Sequence, residues 1–184
     1  MKTLIKYLLL GVMVFALVPS LAWSDTPLTL GVWAGPYDEA IGAPGTYFAE
    51  TWSYTGSAVL SVTDIYVVGD AFDVFDNGVS IMVLNPVDGS FQNIPGCDGN
   101  AFDASCHYTT DPNVALADPY FAHGSVLLGG GLNEITIEAT ELPTGFTDST
   151  VALKVDAVPE PASVVLFGTL LLGLGGLVRR RMAR

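Results

Sequence analysis

The sequence predicts an all-β protein: an antiparallel β-sandwich of jelly-roll type, held between an N-terminal signal helix and a C-terminal transmembrane helix. Three observations predict it. Apolar and polar residues alternate at period two in several short segments of the middle of the chain, as in strands with one buried face. Asn77-Gly78 separates two apolar runs, and both residue types accept the positive φ of a two-residue hairpin turn. Only one short stretch of the middle carries helix signals, whereas glycine is abundant and turn residues recur at short intervals.

The chain opens with an export signal. Lys2 and Lys6 precede an uncharged apolar run at 7–18, broken by Pro19 and Ser20. Ala22 and Ser24 then place small residues for cleavage before Asp25, so 1–24 is expected to be a secretory signal peptide. The domain follows at 25–157. Within it, Ala58, Leu60 and Val62 alternate with Val59, Ser61 and Thr63. Segments 71–75 and 79–84 flank the Asp76-Asn77-Gly78 turn. A short helix is expected over 112–120, with Asp111 as N-cap and Pro112 at its first position. Segment 125–128 leads through Gly129-Gly130-Gly131 into a strand in which Leu132, Ile135 and Ile137 interleave with Glu134, Thr136 and Glu138. Val151, Leu153 and Val155 alternate with Ala152, Lys154 and Asp156 in the cleanest half-buried strand of the chain.

Cys97 and Cys106 are the only cysteines. In an exported chain the default is one disulfide. Zinc wants four ligands, and His107 alone lies nearby.

Charge excludes two classes of partner. Between Asp25 and Val158 stand 18 carboxylates and a single lysine, Lys154. Such a body repels nucleic acid and anionic membrane surfaces. Candidate catalysis is thin: His107 and His123 are the only histidines, and no nucleophile elbow, zinc-protease helix or phosphate loop is present. No catalytic residue is assigned, and the protein is read as a non-enzyme. Two oxygen-rich groups could hold calcium: Asp70, Asp73, Asp76 and Asn77 around the hairpin, and Asp98, Asn100 and Asp103 in the cysteine loop. Trp33, Tyr37, Trp52 and Tyr54 could stack on sugars. However, Phe48, Trp52 and Tyr54 share a strand parity with Glu50 and suit a core face.

The C-terminus carries the most specific signal. Pro159-Glu160-Pro161 cannot continue a helix. It is followed by an uncharged apolar stretch at 162–178, at the lower limit for a membrane span, and then by Arg179, Arg180 and Arg181. A cationic stop holds that end cytoplasmic. These residues, in this order, resemble the PEP-CTERM sorting signal, here over 158–184. The resemblance implies a Gram-negative bacterium, processing by signal peptidase and then by a membrane-embedded exosortase, and release or attachment at the cell surface, often with exopolysaccharide. The run from Thr63-Asp64 through Gly69-Asp70 to Asn77-Gly78 also resembles secreted lectin-like or carbohydrate-binding-like sandwich domains. The expectation is therefore an exported cell-surface or matrix protein, membrane-anchored through its C-terminal helix before cleavage. A carbohydrate-binding module, calcium-assisted or not, is the alternative, and a secreted glycan-active enzyme stands third.

Overall fold

A computed structural model describes residues 25–87 and 90–158. The expected signal peptide, and the expected sorting signal apart from Val158, lie outside the described residues. Among the described residues no helix is long and apolar enough to cross a membrane.

The described chain folds into two facing β-sheets, as the period-two pattern predicts. One sheet runs β1 (Asp25–Pro27), β4 (Thr51–Thr55), β9 (Leu132–Glu141), β6 (Ala71–Asp76) and β7 (Val79–Leu84), with the two-residue β3 (Thr46–Tyr47) also pairing on β9. The other runs β2 (Trp33–Ala40), β10 (Asp148–Ala157), β5 (Ala58–Asp64) and β8 (His123–Leu128). All pairings are antiparallel except β1 on β4, which is parallel, so the first sheet is mixed where the sequence predicts a purely antiparallel one.

Inward-facing residues meet in one apolar core. Leu60, Val62, Leu153 and Val155 come from one sheet, and Phe72, Val74, Ile135 and Ile137 from the other. Trp52 and Phe48 are fully buried between them. The Tyr37 ring of one sheet meets Trp52 of the other edge-on at 5.1 Å. These aromatics fill the core, as their shared parity predicts, and form no exposed sugar-stacking row. Trp33 faces outward instead. Its ring lies beneath the Lys154 ammonium at 5.2 Å, and its indole N–H donates to Asn113 Oδ1.

The turns obey local chemistry. Asn77 and Gly78 take φ values of +50° and +76°, the paired left-handed conformation of a tight hairpin. The glycine turn at 129–131 crosses from one sheet to the other. There the expected alternation slips: Leu132 is 56% exposed and Asn133 takes the buried position. The Asn133 amide lies within 3.4 Å of the carbonyls of Tyr54, Gly56, Gly129 and Gly131, tying two turns together. The helix, α1 (Pro112–Ala117), has the Asp111 cap and leading proline as expected, but stops three residues early. Asp118 is extended because it precedes Pro119, which disfavours helical backbone at that position.

Between β7 and β8 the chain makes a long excursion with a small core of its own. Val67, Val68, Phe91, Ile94, Ala101, Cys106, Ala115 and Phe121 pack together. The excursion is pinned by the Cys97–Cys106 disulfide, whose Cα atoms are 4.6 Å apart. Its helix α1 packs against β5, which places it over the outer face of the second sheet. That cover explains why outward-facing Thr63 and Ala152 are fully buried.

At Gly35 a bulge interrupts the β2–β10 register. Gly35 has φ +106°, and a Cβ there would lie 2.9 Å from the Val151 carbonyl oxygen. Gly35→Ala therefore forces both a disfavoured backbone and a clash that no side chain can relieve. Its expected cost is about 1–3 kcal/mol, read as a fall of several degrees in the thermal midpoint by circular dichroism. An unchanged midpoint would show that the bulge relaxes freely.

Candidate functional site

At one end of the sandwich, polar residues enter what would otherwise be core. Strand β5 continues its inward row from Leu60 and Val62 to Asp64, which pairs with Val151 in register. Segment 65–70 then crosses to the other sheet and delivers Asp70 just before β6. The two aspartates are 0% and 3% exposed, and Ser149 of β10 is 1% exposed.

Asp70 lines a cleft of about 170 Å³. Asp38 of β2, with Asp148 and Thr150 of β10, forms one side, where the Thr150 hydroxyl donates to Asp38 Oδ1 at 3.1 Å. Tyr66, Phe102 and Phe146 add aromatic rings to the lining. Phe102 meets Phe146 edge-on at 6.0 Å and stands 61% exposed at the rim. Tyr66 has φ +79°, a costly conformation for a bulky side chain. It is held there by its N–H bond to the Thr109 carbonyl and by its stack on Tyr108.

The electrostatics of the pair follow from burial without a counter-charge. Burial pushes Asp64 well above the usual carboxylate range, the neighbouring Asp70 charge adds to this, and the Ile65 and Asp70 amides oppose it. Burial likewise raises Asp70 to about 7, against the pull of the Ser149 hydroxyl, the Thr150 amide and Asp64, while Asp38 pushes it further up. Yet both Asp64 oxygens, Asp70 Oδ1 and Ser149 Oγ lack a well-formed hydrogen bond. The Ile65 N–H, for example, is committed to the Thr150 carbonyl at 3.3 Å. The donors are near enough to be felt but are not aimed at these atoms. Such a pair can share a proton or bind a cation.

The hairpin oxygens expected for calcium are spread along one strand: Asp70 sits just before β6 and Asp76 at its end, about 20 Å apart at the usual strand rise. Asp73 accepts from the Ser80 hydroxyl at 2.5 Å, and Asp76 from the Asn77 amide. In the disulfide loop Asp98, Asn100 and Asp103 each accept a backbone N–H two residues onward. The Ser105 amide holds Asp103 below the usual carboxylate range. Cys97, Asp98 and Cys106 converge, but both sulfurs are spent in the disulfide.

The histidines take local partners. His107 Nδ1 lies 2.5 Å from Asp118 Oδ2, and His123 Nδ1 bonds the Phe121 carbonyl. Ser125, two residues beyond His123, shares a hydrogen bond with Ser61. Pro159, Glu160, Pro161, Arg179, Arg180 and Arg181 lie outside the described residues. Sequence reading misses Asp64, Asp38, Asp148, Tyr66 and Phe102, which long-range pairing gathers. The available signal is two aspartates flanking an apolar pentad, with no basic residue near in sequence.

Compared with known proteins, the chain matches no family model, and neither a curated protein nor a solved structure matches it significantly.

A raised folded-state pKa means that the folded chain holds its proton more tightly than the unfolded one. Stability from neutral Asp70 is therefore complete below about 3.8 and is lost as pH rises through about 7. In EDTA buffer the melting temperature should fall between pH 5 and pH 8, because Asp64 and Asp38 face the same group. Asp70→Asn should flatten that slope. A slope untouched by Asp70→Asn would assign it to another group.

Proposed function

We propose that this chain is an exported, non-enzymatic β-sandwich protein of a bacterial cell surface or extracellular matrix, sorted through its C-terminus by an exosortase and associated with exopolysaccharide. One observation carries the reading: Pro159-Glu160-Pro161, an uncharged apolar stretch and an arginine cluster stand in that order after the last strand of a folded domain. Segregation of charge supports it. Of seven basic residues, six lie within the first six or last six positions, where export and membrane topology use them. The strand order also supports a jelly roll. Sheets ordered β2-β10-β5-β8 and β4-β9-β6-β7 are in keeping with the two Greek keys of that architecture, which lectin domains also use.

The cleft favours a second reading, a carbohydrate-binding module. Exposed Phe102 beside Tyr66 and Phe146 offers an aromatic wall, and Asp38 and Asp148 offer acceptors for sugar hydroxyls. The cleft is smaller than the 300–1,000 Å³ typical of small-molecule pockets, which suits contact with part of a larger glycan, and fully buried Asp64 is not part of its lining.

Sorting predicts that protein recovered from the surface or medium of the native host lacks the residues beyond about 161. Intact-mass spectrometry decides this, and a mass retaining 162–184 overturns it. For the second reading, the chain should bind selected sugars on a glycan array, and Phe102→Ala should remove that signal with the fold intact. An array blank for the unaltered protein, or a signal indifferent to Phe102→Ala, rejects the cleft as a glycan site.

A further inference from the structure

We infer that Asp64, Asp70 and Ser149 form a buried site for a divalent cation of calcium type at the floor of the cleft. The inference is independent of the sorting and glycan readings.

Unpaired oxygen carries it. Both oxygens of Asp64, Oδ1 of Asp70 and Oγ of Ser149 are buried without a formed hydrogen bond. Buried polar atoms are ordinarily satisfied, and two adjacent buried carboxylates demand a positive partner. The described residues have none to give. Lys154 is the single lysine of 25–158, and its ammonium is held 3.0 Å from Asp156 on the outer face. His107 is engaged by Asp118, and His123 by the Phe121 carbonyl.

A shared proton answers the need only in part. One proton between two carboxyl groups makes one hydrogen bond and engages two of their four oxygens. Ser149 Oγ and the second Asp64 oxygen stay unanswered. A hard cation engages all of them at once, and calcium takes six to eight oxygens with tolerant geometry. Water from the cleft can supply the balance, since Asp70 lines it. Asp38 and Asp148 stand on the same cleft and draw cations inward.

The site differs from both groups suggested by the sequence. It uses Asp70 but none of Asp73, Asp76 or Asn77, and it recruits Asp64 from another strand. The disulfide-loop oxygens are satisfied by their own backbone and serve as the control.

The test uses the full chain in detergent, stripped with EDTA and dialysed into metal-free buffer at pH 7.5. Saturating CaCl₂ should raise the melting temperature by roughly 5 °C or more above MgCl₂ at matched ionic strength, and titration calorimetry should give one site. Asp64→Asn/Asp70→Asn should abolish both effects, whereas Asp98→Asn/Asp103→Asn should retain them. Should the first double variant fail to fold, Ser149→Ala removes one oxygen without changing charge. It should weaken calcium binding about tenfold at unchanged circular dichroism. The inference is overturned by equal shifts with calcium and magnesium, by no shift at all, by a calcium response surviving Asp64→Asn/Asp70→Asn, or by full affinity in a folded Ser149→Ala protein.

Discussion

The domain has almost no cations with which to balance its acids, and much of its construction follows from that shortage. One lysine faces 18 carboxylates between Asp25 and Val158. Among the described residues Lys154 with Asp156 is the only lysine–carboxylate pair, and His107 is hydrogen-bonded to Asp118. Cohesion must therefore come from burying apolar surface between the sheets, where Trp52, Phe48 and Phe72 form a run of ring contacts through the core. The acids find backbone amides in place of cations. Asp98, Asp103, Asp111 and Asp118 each accept an N–H two residues onward, so four negative charges of the excursion serve as turn-formers. Short polar side chains favour this local bonding over regular structure, which suits a segment that must bend repeatedly.

That excursion does more than connect β7 to β8. A sandwich sheet with a bare outer face would leave Thr63 and Ala152 to solvent. Helix α1 packs against β5 and buries them. Its own apolar residues are too few to hold a separate domain, and the disulfide restrains the loop in the unfolded chain as well. Once pinned, it places Phe102 against Tyr108 and Phe146. The aromatic wall of the cleft is thus a by-product of covering the sheet. The cleft is lined from strands β2 and β10 and from three connecting segments, so no single loop builds it.

The legible parts of the sequence were those set by neighbours in sequence. The Asn77-Gly78 turn needs only two residues with positive φ, and β5 and β10 show their faces through alternation alone. The cysteine pair follows from there being two cysteines in the chain and from the expectation of export. Asn133 was illegible because the four carbonyls around it come from two turns, one of them nearly eighty residues away. Leu132 misleads because it is an apolar residue next to a glycine turn, although the pleat starts at Asn133. The expected helix is too long because its span includes Pro119, which ends it at Ala117. Asp64 is hidden for a different reason: the alternation that makes β5 obvious also puts Asp64 on the buried face, where carboxylates are rarely found.

The position of the cleft relative to the proposed anchor gives its geometry a use. Strand β10 starts at Asp148, beside the cleft, and ends at Ala157, with Val158 alone between it and Pro159-Glu160-Pro161. Ten residues of strand span about 30 Å. A chain held at its C-terminus therefore carries the cleft on the far end of the sandwich, away from the attachment point. β10 is also hydrogen-bonded on both sides, to β2 and β5, so tension applied at Ala157 is spread over two neighbouring strands. An edge strand would be peeled away far more readily. With β10 hydrogen-bonded on both sides and the acidic and aromatic cleft at its other end, the fold is compatible with the attachment proposed above.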